Sequence, residues 1–95
     1  TKENDAYAMY LQKKERDKAL RKLQQNVTRC ENRIEQHEKG LAIMDEKLLS
    51  PPAEGFSTAF YQLYEKEKRA LDEAMKEWEK AHNELDTFIK TEKDA

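Results

Sequence analysis

Apolar side chains recur along this chain in two runs that step by three and four residues. Leu20, Leu23, Val27, Cys30, Ile34, Leu41, Met44 and Leu48 mark the first run, with His37 as its polar member; Phe60, Tyr64, Leu71, Ala74, Trp78, Ala81, Leu85 and Phe88 mark the second, with Glu67 as its polar member. Steps of three and four average to the 3.5-residue period of a supercoiled helix seam, so both runs predict coiled-coil helices. Written in opposite directions, the runs pair so that the two residue numbers always add to 108: Leu20 with Phe88, Cys30 with Trp78, Leu48 with Phe60. A constant sum is the arithmetic of an antiparallel hairpin. The pattern predicts an all-α fold, a two-helix antiparallel coiled-coil hairpin.

Backbone signals place the elements. The stretch 6–49 contains no proline and a single glycine, Gly40, whose helix penalty of ~1 kcal/mol softens a long helix without ending it. A helix of about 65 Å follows from the rise per residue. Ser50 precedes a proline and is pushed out of the helical region, and Pro51, Pro52 and Gly55 keep the turn 50–56 from continuing the helix. Ser57 or Thr58 can cap a second helix running to about residue 90. Residues 1–5 are polar and expected to fray, and residues 6–15 have no opposite partner under the constant sum. The chain is expected to divide into a stem, 1–12, and the hairpin, 13–92; in a longer protein the stem would be the linker from an upstream domain. The unpaired stem carries Tyr7, Met9, Tyr10 and Leu11, of which Tyr7, Tyr10 and Leu11 are candidates for docking on a partner or on another copy.

Layer by layer the seam is sterically consistent. Trp78 faces Cys30, and the small Ala74 and Ala81 on either side leave room for the indole against Val27 and Ile34, so this layer is expected to be the energetic centre. His37 opposite Leu71 and Glu67 opposite Leu41 form two polar layers, read as register-setting positions. With two helices and two polar layers, a stability of a few kcal/mol is expected.

Composition narrows the function classes. Of the 95 residues, 40% are charged, and the mean hydropathy of -1.16 is too polar for a thick globular core. No apolar stretch approaches the ~18 to 20 residues of a membrane span, and the expectation is a cytoplasmic protein without membrane contact. Cys30 is the only cysteine, so no internal disulfide or cysteine cluster forms, and a seam thiol reads as buried and inert. The sequence contains no glycine-rich phosphate loop, and His37-Glu38-Lys39 lacks the second histidine of a zinc helix. Catalytic and metal-binding residues are accordingly expected to be none, and the chain is not read as an enzyme.

Charge is uneven. Eight basic and three acidic residues lie between Lys13 and Arg33, against two basic and five acidic from Ile34 to Gly55. At 100° per residue, Lys14, Lys18, Arg21, Lys22 and Arg29 share one arc roughly opposite the seam, while Glu31, Asp17 and Glu35 lie on the flank. Such a stripe suits a solvated coiled-coil face of mixed ion pairs, or an edge that tracks nucleic-acid phosphates with weak, non-specific, salt-sensitive binding. The acidic second helix would repel the same backbone, leaving one arm to bind.

Beyond the heptads, the run Asn32-Arg33-Ile34-Glu35, the proline-containing turn, Phe60-Tyr61-Gln62-Leu63-Tyr64, Ala74-Met75-Lys76-Glu77-Trp78-Glu79 and Glu84-Leu85 stand in a distinctive order. Over about residues 13–88 the chain resembles the C-terminal coiled-coil domain of ABC-F ATPases, with the Met-x-x-Trp-Glu stretch as the most telling piece. The resemblance implies an accessory domain of a soluble paired-cassette ATPase. ATP and Mg would be bound by upstream ABC cassettes, with no cofactor in the present sequence. It also implies a ribosomal RNA or DNA contact, to which Lys14, Lys18, Arg21, Lys22, Arg29 and Arg33 would contribute. The departure from the family is charge: its tails are often basic, whereas this chain has a net charge of -2, which argues against strong binding. The alternative expectation is a protein-interaction or spacer hairpin without nucleic-acid binding, self-associating through its stem.

Overall fold

A computed structural model describes residues 1–94. Helix α1 spans Lys2–Leu48 and helix α2 spans Thr58–Asp94. They lie side by side in an object of 82 × 19 × 17 Å, the shape of a helical hairpin. The pairing follows the constant sum. All eighteen seam positions are buried or half-buried, while their polar neighbours are mostly exposed. Val27, Cys30 and Ala81 form a buried cluster with Trp78 and Leu85 against it. Arg16 Nη1 meets Glu92 Oε2 at 3.1 Å, closing the zipper at the position where the numbers 16 and 92 add to 108.

The helix limits differ from expectation at both ends. The first residues, expected to fray, are helical from Lys2: Thr1 Oγ1 accepts from the Asn4 N–H at 3.3 Å, and Glu3 and Asp5 stand in the first turn, where the helix dipole favours them. The helix also runs unbroken across the expected stem boundary. The stem residues, 1–12, are all exposed, so the stem is an extension of α1 without a covering arm.

The turn is built from local bonds. Leu49 and Ser50 donate to the carbonyls of Glu46 and Lys47, three residues back, which tightens the last turn of α1. Gly55 N–H donates to Pro52 O at 2.9 Å, with Gly55 at φ 78°, a conformation that favours glycine. Ser57 Oγ caps α2 by accepting from Phe60 N–H at 3.2 Å. Phe56 stacks on Phe60 at 4.2 Å and meets Tyr61 edge-on, stapling the entry into α2.

Two expectations about the seam change. Trp78 is half-buried, and the fully covered positions belong to small side chains: Ala74 is 0% exposed and Ala81 2%. Two helices cover a narrow strip only, so a side chain the size of indole extends past it and stacks on His82, with ring centroids 4.9 Å apart. The polar layers also merge. Glu67 Oε1 reaches diagonally to His37 Nδ1 at 2.6 Å, and Gly40 provides the space, since a Cβ there would lie 3.2 Å from the same oxygen. The glycine that reads as a soft spot is where α1 admits the carboxylate.

Candidate nucleic-acid interface

The seam direction fixes where the cations point. Because Leu20, Leu23, Val27 and Cys30 face α2, the arc centred opposite them faces solvent, and Lys14, Lys18, Arg21, Lys22 and Arg29 are all exposed. Lys14 and Arg33 are 19 positions apart on one uninterrupted helix, a span of about 29 Å.

Within that span Arg21, Gln24, Gln25, Thr28, Arg29, Asn32, Arg33 and Gln36 line a shallow, open surface groove of about 490 Å³. No carboxylate is among these eight residues. Guanidinium groups, side-chain amides and a hydroxyl suit a phosphate-rich ligand, because guanidinium pairs with phosphate oxygens and the amides and hydroxyl add neutral donors. The arrangement encloses nothing and offers no nucleophile held beside a base. No group of three or more His, Cys, Asp or Glu side chains placed to hold a metal ion occurs among the described residues. No helix among them is long and apolar enough to cross a membrane.

Arg33 stands apart from the other five. It lies on the flank nearest α2, where Nη1 forms an ion pair with Glu77 Oε2. That contact ties the two arms together and partly neutralises the sixth cation. Arg29 Nη2 donates to Asn26 Oδ1 on its own helix, an interaction that leaves its charge uncompensated. Across the hairpin, the Asp72, Glu73, Glu77 and Glu79 side chains of α2 are exposed, so the two arms present opposite charge to solvent.

In the stem, Tyr7 and Tyr10 are 64% and 58% exposed, and their rings stack at 6.4 Å. Leu11 does not join them. It lines a separate cleft with Gln12, Glu15, Arg16 and Glu92, at the end of the zipper.

Sequence reasoning missed one surface. Ile34, Met75 and Trp78 form the apolar floor of an open groove of about 680 Å³ between the helices, rimmed by Glu31, Glu35, Glu38 and Glu79. A signal was present: glutamates 31, 35 and 38 step by four and three, the spacing of a strip running beside the seam.

No protein-family model matches the chain, and neither does any curated protein or solved structure.

Proposed function

We propose that this hairpin is a non-catalytic accessory arm of an ABC-F type ATP-binding protein, which lays the outer face of α1 against the phosphates of ribosomal RNA or DNA. The observation that supports it most is the carboxylate-free face around Arg21 and Arg29, extended by Lys14, Lys18 and Lys22 and turned away from the acidic arm. The order of Tyr-rich and Met-x-x-Trp-Glu segments around the proline turn supports the family reading. In this reading ATP and Mg belong to upstream cassettes, and the binding is weak and indifferent to base sequence, because phosphate contacts position a protein without reading bases.

Fluorescence anisotropy of labelled RNA and duplex DNA at two salt concentrations tests the proposal. With Arg33 engaged by Glu77, five cations remain, so log K against log salt should fall with a slope of up to about -4.5 on duplex DNA. Reversing Lys18, Arg21 and Lys22 to Glu should abolish the signal. Absence of binding at low salt, or binding indifferent to that triple reversal, would overturn the proposal. The exposed, stacked Tyr7 and Tyr10 support a second reading, a protein-interaction or spacer hairpin, and a silent nucleic-acid titration would favour it.

A further inference from the structure

The acid-rimmed groove and the stem lie on the same side of α1. Beginning at Tyr7 and stepping by three and four, a strip along one flank of α1, reaching from beside the seam to the edge of the basic arc, passes through Tyr10, Lys14, Arg21 and Glu31 and ends at Glu38. Its first half carries two exposed tyrosines and the cations Lys14 and Arg21; its second half carries Glu31, Glu35 and Glu38 beside the exposed Met75 and half-buried Trp78. Aromatic and basic at one end, acidic over an apolar floor at the other, the strip is complementary to itself when reversed.

We infer that two copies of this chain associate side by side and antiparallel through this strip, each seating its stem tyrosines in the other's groove. The register follows from the spacing. A two-fold axis that sets Lys14 against Glu31 of the other copy also sets Tyr10 against Glu35 and Arg21 against Gln24, since each pair of numbers adds to 45. Every contact then occurs twice, as an isologous interface requires. Along the strip no like charges meet in this register: Asp17 falls opposite Thr28. A shift of one heptad that adds the numbers to 52 pairs Lys14 with Glu38 and Arg21 with Glu31 but sets Asp17 against Glu35 and carries Tyr10 past the groove to Ala42, and the opposite shift withdraws Tyr10 to Thr28. Seating of the tyrosines over Ile34, Met75 and Trp78 therefore sets the register, and the Lys14–Glu31 pairs add to it.

The strip is about 46 Å long and roughly one helix diameter wide, so the two copies together bury on the order of 900 Å². That lies below the size of a standard stable interface, and the association is weak and concentration-dependent. It does not rest on nucleic-acid binding, with which it would compete for Lys14 and Arg21; Lys18, Lys22 and Arg29 stand off the strip.

Sedimentation velocity on the full chain over a concentration series tests the inference. A monomer–dimer equilibrium is expected, weakened by added salt. Lys14→Glu should weaken it about tenfold, because two attractive pairs become repulsive; Glu31→Lys should do the same. Mixing these two variants should restore a heterodimer, since the reversed charge on one copy then faces the reversed charge on the other, and the unaltered Lys14 faces the unaltered Glu31. Tyr7→Ser with Tyr10→Ser should also abolish the dimer, without loss of hairpin helicity by circular dichroism. Carbodiimide should couple Lys14 to Glu31 between copies, because within one chain they lie about 25 Å apart. A monomer at every concentration overturns the inference, as does a dimer unaffected by Lys14→Glu or one not restored on mixing.

Discussion

The two halves of the zipper follow the same heptad rule but differ in burial. In the half away from the turn, Val27, Cys30, Ala74 and Ala81 are buried; in the half near the turn, from His37 and Leu71 to Leu48 and Phe60, no described residue is. Overall hydrophobicity does not account for this, since the turn half has Leu41, Met44, Leu48, Phe60 and Leu71. Small side chains do. Ala74 and Ala81 on one arm, with Cys30 and Val27 on the other, occupy little of the interface and are almost wholly covered by their larger neighbours. Near the turn, bulky residues face one another with Glu67, His37 and Tyr64 among them, and each keeps part of its surface in water. In a two-helix object, where no third element can cover the seam, burial depends on residue size more than on polarity. The turn half compensates with polar ties: His37 to Glu67, and Tyr64 to Asp45.

The largest expected effect comes from removing the cover of the buried half. Trp78 lies over the Val27, Cys30 and Ala81 cluster, and no other aromatic residue is close enough to replace it among the described residues. Tryptophan-to-alanine changes in full cores cost ~3 to 5 kcal/mol; for a half-buried indole that also stacks on His82, Trp78→Ala should cost about 2 to 3 kcal/mol. That is comparable to the whole expected stability of the hairpin. Thermal unfolding followed by circular dichroism should show α2 and the paired part of α1 melting near ambient temperature. An unchanged midpoint would mean that the alanine–cysteine layers hold the hairpin without the indole.

Much of this was legible in the sequence, for a specific reason. The seam is a one-dimensional feature, and a constant sum converts spacing into pairing without knowledge of side-chain shape; hence Val27 faces Ala81 and Arg16 closes on Glu92 as the arithmetic requires. Side-chain reach is less legible. Glu67 bends diagonally to His37 because Gly40 leaves a gap, and Arg33 turns to Glu77 because it stands on the flank. Heptad positions carry neither fact. The groove at Ile34, Met75 and Trp78 was hidden similarly: it exists because the indole overhangs a seam too narrow for it. Of the basic edge, the exposure of Lys14, Lys18, Arg21, Lys22 and Arg29 was readable from angle alone, while the carboxylate-free surface around Arg21 and Arg29 depended on how long side chains lie along the helix.

A smaller effect sharpens the contrast from the turn half. Gly40→Ala gains up to ~1 kcal/mol of helix propensity in α1. Against this, the new methyl lies 3.2 Å from Glu67 Oε1, the mobile end of a long side chain, which can swing away by a few tenths of an ångström. The tie it loosens, between His37 and Glu67, is partly solvated on both sides and worth about 0 to 1 kcal/mol. The net should be a gain of about 0.5 kcal/mol, read as a higher urea midpoint at unchanged slope. A loss would mean that the polar layer matters more to the turn half than its exposure suggests.

The smallest effect is confined to alkaline pH. The Tyr64 hydroxyl donates to Asp45 Oδ1 at 2.5 Å, and this bond, followed by desolvation and the charges of Asp45 and Glu65, raises the phenol above its usual pKa of 10.0. The protonated form is the one favoured by folding, so the contribution is fully present below about pH 10 and is lost as pH rises through the raised folded value. The group is solvent-facing, and the effect on stability should be small. Asp45→Asn removes the principal cause, and tyrosinate absorbance near 295 nm should then develop for Tyr64 at lower pH. If that variant titrates as the parent does, the bond between the arms is not maintained in solution, and the turn half is held by its hydrophobic contacts and the His37–Glu67 tie.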